Sequence, residues 1–318
     1  MDHGPLWRRF AVSEQDICVK NWWRCLLMLN TSAKEMCLIV AWYISCDFHL
    51  TAACSFIIYV YRKNKKNGLR VYGIACLLAI LIPGFLTYWY KLQPVILFTI
   101  QDFVILRMVA SLDYVYVKTY SRGGPYVVGM AAGYLITKFN REKYKKVIPK
   151  IWSFSAVVLA VSLMLLTMSV GTIFYDREYS ALEVSISVAL DRVVWAFAVC
   201  SIVGVCIYGD LPIINDFLSW SLFRPLGRLS YGIYLLHAMF LERIIFSTRA
   251  PLKYDHLEFF IITCGVIVVT SIASLFVWLV VEAPLTNICD VIMSDKKSPQ
   301  KEIDMTIEAT QNGQKKVL

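Results

Sequence analysis

The stretch FFIITCGVIVVTSIASLFVWLVV, from Phe259 to Val281, decides the class of fold, because its 23 residues include no charged side chain. A helix needs roughly 20 mostly apolar residues to cross about 30 Å of hydrocarbon. The whole chain has the same character, since 58% of its 318 residues are hydrophobic and 17% are charged, with a mean hydropathy of +0.58. No water-soluble core needs that much apolar surface. The sequence therefore predicts an all-α protein, a polytopic transmembrane helical bundle.

About seven segments meet the same criterion. The third of them, Pro125 to Phe139, is short, because its apolar residues reach about 22 Å at 1.5 Å per residue. It needs local thinning of the bilayer, or extension backwards through Val117 to Gly124. The seven predicted spans are Met36–Tyr61, Leu69–Trp89, Pro125–Phe139, Pro149–Ile173, Leu182–Tyr208, Leu226–Phe246 and Phe259–Val281.

The remaining segments carry more polar residues. Pro94 to Leu112 contains Gln101, Asp102 and Arg107, so we expect an interfacial or re-entrant segment there. Residues 285–318 are rich in Lys, Glu, Gln and Thr, which predicts a disordered tail. The chain thus divides into an amino-terminal segment (1–35), a transmembrane domain (36–284) and that tail.

The distribution of Lys and Arg predicts the orientation. Both residue types concentrate in the connections 62–70 and 138–150 and in the tail, and cytoplasmic loops retain positive charge. With seven spans, all three regions fall on one face. We therefore expect the carboxyl terminus to be cytoplasmic and residues 1–35 to be extracellular or luminal. The protein would lie in the plasma membrane or the endoplasmic reticulum. The net charge of +9 then reflects topology and anionic-lipid contact, and predicts no nucleic-acid partner.

The ten cysteines show no metal-binding spacing, so we expect no metal site. Most lie inside apolar runs, where free Cys is commonly a small buried residue. Cys18 and Cys37 instead bracket the amino-terminal segment. In an oxidising compartment they are a candidate disulfide pair, although spacing alone leaves free thiols equally open.

Charged residues inside predicted spans point to partners or function, because a charge at the helix centre costs about 3 kcal/mol on insertion scales. Asp47 and His49 are two residues apart and so point in different directions on a regular helix, which makes them no ready-made catalytic dyad. Arg192 needs a carboxylate or an anionic substrate group nearby, and Asp47 or Glu282 is the favoured partner. A buried ion pair that fixes helix packing is the alternative.

The sixth span carries a polar seam. Ser230, Tyr234 and His237 recur at spacings of four and three, which places them on one stripe. The seam either lines a substrate path, with His237 as acid or base, or stabilises helix packing. In the third span, Gly129 and Gly133 form a small-xxx-small pattern that favours close approach of a neighbouring helix.

Seven strings in a fixed order make the chain similar to a known family. The chain resembles the carboxyl-terminal portion of the nose-resistant-to-fluoxetine proteins, the invertebrate branch of the acyltransferase 3 family. The strings are Gly4-Pro-Leu-Trp7, Cys18-x-x-Asn-Trp-Trp-x-x-Leu-Leu27, Trp42-Tyr-x-x-x-Asp-Phe48, Tyr120-x-Arg-x-Gly-Pro-Tyr-x-x-Gly129, Arg192-x-x-Trp195, Pro225-Leu-x-Arg-Leu-Ser-Tyr-x-x-Tyr-Leu-x-His237 and Val281-Glu-x-Pro284.

The resemblance implies an acyltransferase 3-like domain over residues 36–284, which passes an acyl group from a donor such as acyl-CoA to a hydroxyl acceptor. That acceptor would be a lipid or a small hydrophobic molecule, and no bound cofactor is implied. Matching family positions make Asp47, His49 and His237 supporting catalytic candidates, although His49 replaces the family's usual glutamine. The implied substrate-binding residues are Arg122, Arg192, Tyr234 and Glu282.

The resemblance also implies parts that this sequence does not contain. In the family, the histidine thought to act as base lies on the first spanning helix, and a cysteine-rich domain precedes the membrane region. Residues 1–35 also lack the apolar stretch of a secretory signal. We therefore expect Met1 to be an internal methionine or the protein to be a shortened relative, and this chain alone to be inactive. A lipid or xenobiotic binding or uptake protein, and less favourably a seven-helix receptor, are the alternatives.

Overall fold

The computed structural model describes Gly4 and residues 7–32, 34–93, 110–139, 143–144, 146–174, 178–249 and 255–295. Ten α-helices lie in this part of the chain, and it holds no β-strand beyond an isolated bridge between Ile148 and Gly209. The all-α prediction is confirmed. The helices are α1 (Trp7–Leu26), α2 (Trp42–Lys63), α3 (Lys65–Trp89), α4 (Gly123–Lys138), α5 (Lys150–Ile173), α6 (Ala181–Tyr208), α7 (Pro212–Leu218), α8 (Phe223–Ser247), α9 (His256–Val277) and α10 (Ala283–Asp295).

Six helical segments are long and apolar enough to cross a membrane, and each corresponds to a predicted span. The remaining predicted span forms α4, whose 16 residues reach only about 24 Å. The predicted interfacial segment Pro94 to Leu112 lies mostly outside the described residues. The six segments are Ile39–Lys63, Lys65–Trp89, Lys150–Val170, Ala181–Tyr208, Phe223–Ser247 and His256–Ile292.

The chain divides into a larger unit, residues 8–220, and a smaller unit, residues 1–7 and 221–318. In the larger unit α6 is the central helix, because it packs against α3, α4 and α5. Asn64 caps α3 by accepting hydrogen bonds from the backbone N–H groups of Lys66 and Asn67, at 3.0 and 3.3 Å. Such caps satisfy donors that have no partner inside the helix.

The smaller unit is built on the pair α8 and α9. These helices approach closely at Gly232, where an added Cβ would lie 2.3 Å from Ser274 Oγ. The Ser274 hydroxyl donates to the Leu229 carbonyl at 2.9 Å, which links the two helices with a hydrogen bond. Small residues and hydroxyl bonds of this kind replace hydrophobic driving force between helices in lipid.

Two segments differ from the sequence prediction. Residues 283–295 form helix α10, although disorder was predicted from residue 285. Leu285, Ile288 and Ile292 recur at helical spacing, which gives this segment an apolar stripe, and residues 296–318 lie outside the described part. The amino-terminal segment was assigned no element, and it contains the 20-residue helix α1.

Candidate functional site

The candidate site of the larger unit is built on two short turns that lead into α4. They are a π-helical turn, Leu112–Tyr116, and a 3₁₀ turn, Thr119–Arg122, which form one connection, and the second turn packs against α2 and α3. Irregular backbone at membrane depth is tolerated where it is buried in protein. Here it lies against a hydrophobic cluster of Met36, Trp42, Cys46, Leu112 and Val117.

Arg122, at the end of the 3₁₀ turn, is held between aromatic rings. Its guanidinium carbon lies 4.7 Å from the centre of the Trp42 ring and 4.4 Å from the centre of the Tyr116 ring. Its Nε donates to the Tyr116 carbonyl at 2.9 Å. Cation–π contacts of this kind contribute about 0.5–2 kcal/mol each. The side chain is therefore oriented by rings and by a carbonyl, and its charge is not neutralised at these contacts.

Arg192, from the centre of α6, reaches the same turn. Its Nη1 donates to the Ser121 carbonyl at 2.7 Å, so the expected ion pair with Asp47 is replaced by a hydrogen bond to backbone. The preceding carboxylate, Asp191, accepts a hydrogen bond from the backbone N–H of Arg192. The charge on Arg122 also acts on both Asp191 and Arg192. Arg192 thus holds the backbone of the turn that carries Arg122.

Two polar atoms of this turn are buried without a hydrogen-bond partner in the described part of the protein. They are Ser121 Oγ and Arg122 Nη2, and Ser121 as a whole is only 2% exposed. A buried donor without an acceptor costs about 1–3 kcal/mol. A carbonyl, carboxylate or phosphate oxygen is the group that satisfies such donors, and guanidinium binds it strongly. The turn is therefore a candidate site for an oxygen-bearing substrate group.

Asp47 and His49 lie beside this turn but contact different groups. The Tyr126 hydroxyl of α4 donates to Asp47 Oδ1, whereas His49 Nδ1 lies 3.4 Å from Thr119 Oγ1. The two side chains point apart, as their spacing on α2 predicted. The carboxylate and the imidazole therefore form no dyad.

Cys46 is a residue of this site that sequence reasoning missed. Its sulfur lies 3.4 Å from the Val117 carbonyl oxygen and 3.6 Å from Thr119 Oγ1, and the charges of Arg122, Arg192 and Asp47 act on it. A signal was available, because Trp42, Cys46 and His49 recur at spacings of four and three and so share one face of α2. That face contacts the turn.

A layer of tyrosines fixes the same connection from its other end. The Tyr120 hydroxyl donates to the Tyr114 carbonyl at 2.8 Å, and Tyr114 stacks on Tyr90 with ring centres 4.7 Å apart. Burial raises the pKa of the Tyr120 hydroxyl, and the charge of Asp113 raises it further. The hydroxyl therefore remains a protonated donor at neutral pH.

An apolar groove of about 740 Å³ lies between α3 and α6. On α6 it is lined by Ser185, Ile186, Ala189 and Leu190. Ser185 and Ala189 share a helix stripe with Arg192, at spacings of seven and three, and Arg192 itself is not among the lining residues. The α3 wall of the groove consists of Ile80, Leu81, Ile82, Gly84, Phe85, Leu86 and Tyr88.

The other predicted site residues lie in the smaller unit. His237 Nδ1 donates to the Tyr234 carbonyl at 2.5 Å, and the two rings lie 5.6 Å apart. Ser230 Oγ donates to the Gly227 carbonyl at 2.8 Å, so these bonds of the polar seam stay within α8. Glu282 ends a π-helical turn and is exposed. The structure thus places the predicted site residues in two groups.

The sulfurs of Cys18 and Cys37 form a disulfide across a sequence separation of 19. Among the described residues, no group of three or more His, Cys, Asp or Glu side chains is arranged to hold a metal ion.

The chain is similar to known proteins over most of its length. The acyltransferase 3 family model, described as an acyltransferase domain, matches residues 6–278. Nose resistant to fluoxetine protein 6 of Caenorhabditis elegans is 24% identical over 322 residues, which cover 97% of this chain. The chain spans 38% of the length of that relative. No solved structure matches the chain.

Proposed function

Because the chain belongs to the acyltransferase 3 family, we propose that it holds the substrate in a membrane-embedded O-acyltransferase. The proposed reaction moves an acyl group from acyl-CoA to the hydroxyl of a lipid or a small hydrophobic acceptor. The observation that supports it most is the pair of buried hydrogen-bond donors without a partner, Ser121 Oγ and Arg122 Nη2. They suit the acyl carbonyl oxygen or an anionic group of acyl-CoA.

The chemistry requires one bond to form and one to break. The acceptor hydroxyl oxygen attacks the thioester carbonyl carbon, the carbon–sulfur bond breaks, and the coenzyme A thiolate takes the proton that a base removes from the hydroxyl. Negative charge builds on the carbonyl oxygen in the transition state, so donors fixed at that position lower the barrier. No base is assigned within the Ser121–Arg122 turn, whose proposed part in the reaction is to hold the substrate oxygen.

Three predicted residues of the larger unit have distinct proposed roles. Arg122 faces the substrate oxygen, while Arg192 holds the Ser121 carbonyl at 2.7 Å and so fixes the backbone of the turn. Asp47 holds Tyr126 of α4 and thereby positions the helix that follows Arg122. The acyl chain is proposed to lie in the apolar groove between α3 and α6.

The proposed orientation places the amino-terminal segment outside the cell or in the lumen. The Cys18–Cys37 disulfide supports this, because disulfides persist in oxidising compartments. The plasma membrane and the endoplasmic reticulum both fit the proposal.

Lipid or xenobiotic binding without acyl transfer is the second candidate function. Its support is the name of the C. elegans relative, which refers to fluoxetine resistance, and the apolar groove, which suits a hydrophobic molecule. Uptake of a radiolabelled lipid without an acylated product would favour this function.

The test begins with the 5′ end of the transcript, so that the whole coding sequence is expressed. Membranes containing the protein are incubated with radiolabelled acyl-CoA, and ester products are separated by chromatography. Arg122→Gln should lower product formation about 100-fold, since a charge-assisted hydrogen bond is worth about 1.5–3 kcal/mol. Arg70→Gln is the matched control, because Arg70 is an exposed arginine at the start of α3. Equal activity of both variants would contradict the proposed role of Arg122.

A further inference from the structure

Helix α1 carries an apolar face that the helices of its own unit do not cover. Five of its residues are between 41% and 71% exposed. At 3.6 residues per turn these five fall within an arc of about 100° around the helix axis. They are Val12, Val19, Trp22, Trp23 and Leu26. Two polar residues, Arg8 and Gln15, lie in the same arc in the amino-terminal half of the helix.

Another side of α1 is attached to the protein. It includes Cys18, which forms the disulfide with Cys37, and Cys25, whose sulfur accepts a hydrogen bond from Asn30 Nδ2 at 3.1 Å. Arg24, about 150° around the helix from the centre of the apolar arc, forms an ion pair with Glu35. The helix is thus tethered along one side, and the apolar arc points away from the tether.

The tether also fixes the depth of α1. Cys37 lies two residues before the first membrane-spanning segment, Ile39–Lys63. The middle of α1 is therefore held where that segment enters the bilayer. Asn30, 3% exposed, donates its backbone N–H to Ser45 Oγ at 3.2 Å, and so binds the connection after α1 to the first turn of α2.

The composition of α1 indicates a helix that lies on the bilayer and does not cross it. Its charged residues include Glu14, Asp16, Lys20 and Arg24, and it is absent from the segments apolar enough to span. Amphipathic helices with Trp on the apolar face and charges elsewhere bury that face at the boundary of head groups and acyl chains. Tryptophan is enriched at that depth in membrane proteins.

We infer that α1 is an interfacial helix, which lies in the plane of the membrane with Trp22 and Trp23 in the lipid, on the face where α2 begins. The disulfide and the Arg24–Glu35 ion pair hold the helix in this position. The lipid bilayer is the occupant of its exposed face.

Tryptophan quenching in vesicles tests this inference on the full chain. The protein is reconstituted in phosphatidylcholine vesicles, and the emission of a Trp22→Phe/Trp23→Phe variant is subtracted from that of the native protein, which has nine tryptophans. Lipids brominated near the head-group end of the acyl chains should quench this difference emission about twofold or more, whereas aqueous iodide should not.

Three other outcomes would overturn the inference. Quenching by iodide but not by brominated lipid would place the face in water, quenching by neither would show that protein covers it, and stronger quenching by bromines near the end of the acyl chains would show deeper insertion. Labelling of free thiols without reductant confirms that the Cys18–Cys37 disulfide forms in the variant, so misfolding is recognised separately. Acyl-transfer activity plays no part in this readout.

Discussion

The two groups of polar residues inside this protein differ in where their hydrogen bonds go. In the larger unit, Arg192 of α6 donates to the Ser121 carbonyl, 71 residues earlier in the chain. In the smaller unit, His237 donates to the Tyr234 carbonyl only three residues earlier, within the same helix. The first group holds distant segments together and leaves buried donors unsatisfied. In the second group the bonds of Ser230 and His237 stay within α8, as side-chain bonds to nearby backbone carbonyls do.

The difference shows that polarity inside a span is a poor guide to function by itself. Both groups include polar residues of predicted spans, and both include residues that match the family strings. Only the contacts distinguish a turn with two buried, unsatisfied polar atoms from a seam whose Ser230 and His237 bond within their own helix. Four experiments test this difference.

The largest effect is expected from Arg192→Gln. The change removes the charge and weakens the hold on the Ser121 carbonyl, so the turn should lose its orientation and acyl transfer should fall about 100-fold. Arg192→Lys keeps the positive charge but not the planar guanidinium. Its rate should fall between those of the native protein and the Gln variant, about tenfold below the native rate. Initial rates with radiolabelled acyl-CoA measure both variants. A Gln variant as active as the Lys variant would show that the charge of Arg192 is not needed.

The disulfide should stabilise the region of the larger unit that carries the arginines. A bridge across 19 residues is expected to contribute about 3 kcal/mol, and the segment it closes includes Met36, which is fully buried against Trp42 and Cys46. Cys18→Ser should lower the melting temperature of the purified protein. Cys264→Ser, at an exposed free cysteine of α9, is the control and should leave it unchanged. Equal melting temperatures of Cys18→Ser and the native protein would show that the disulfide does not contribute to stability.

The third prediction concerns the packing of α4 on α6. A Cβ at Gly124 would lie 2.9 Å from Val193 Cγ2, next to Arg192, whereas a Cβ at Gly129 would meet nothing within 4 Å. Gly124→Leu should therefore destabilise the protein by about 1–3 kcal/mol through overpacking. Gly129→Leu should not. Melting temperatures in detergent separate the two variants, and similar losses at both sites would contradict the observed packing.

Much of the fold was predictable because lipid imposes length and hydropathy on each span. Six of the predicted spans rest on long apolar runs such as Leu69 to Trp89, and they are confirmed. The helical character of the amino-terminal segment was missed because its charges and tryptophans conceal a period of 3.6 residues. The tail prediction was wrong for residues 285–295, where a short apolar stripe continues past Pro284 as helix.

The site was less predictable because its contacts join segments far apart in sequence. Arg122 and Arg192 were candidates, but the carbonyl of Ser121 as the partner of Arg192 left no side-chain signal. The small-xxx-small pattern of Gly129 and Gly133 was interpreted as a helix-packing signal. That interpretation was wrong for the described residues, because both positions are open and the close contact is at Gly124.

The smallest effect on activity is expected at His237, and it bears most directly on the comparison. His237→Asn keeps an amide donor near the position of Nδ1, so it can retain the bond to the Tyr234 carbonyl, whereas His237→Gln places its amide near Nε2 and loses that bond. The Gln variant should be less stable than the Asn variant by about 1 kcal/mol. Both should transfer acyl groups within about twofold of the native rate, since the bond is structural. Melting temperatures and initial rates measure the two effects. If the Asn variant instead lost activity as severely as Arg192→Gln, His237 Nε2 would be the base that takes the proton of the acceptor hydroxyl. The smaller unit would then take part in the reaction.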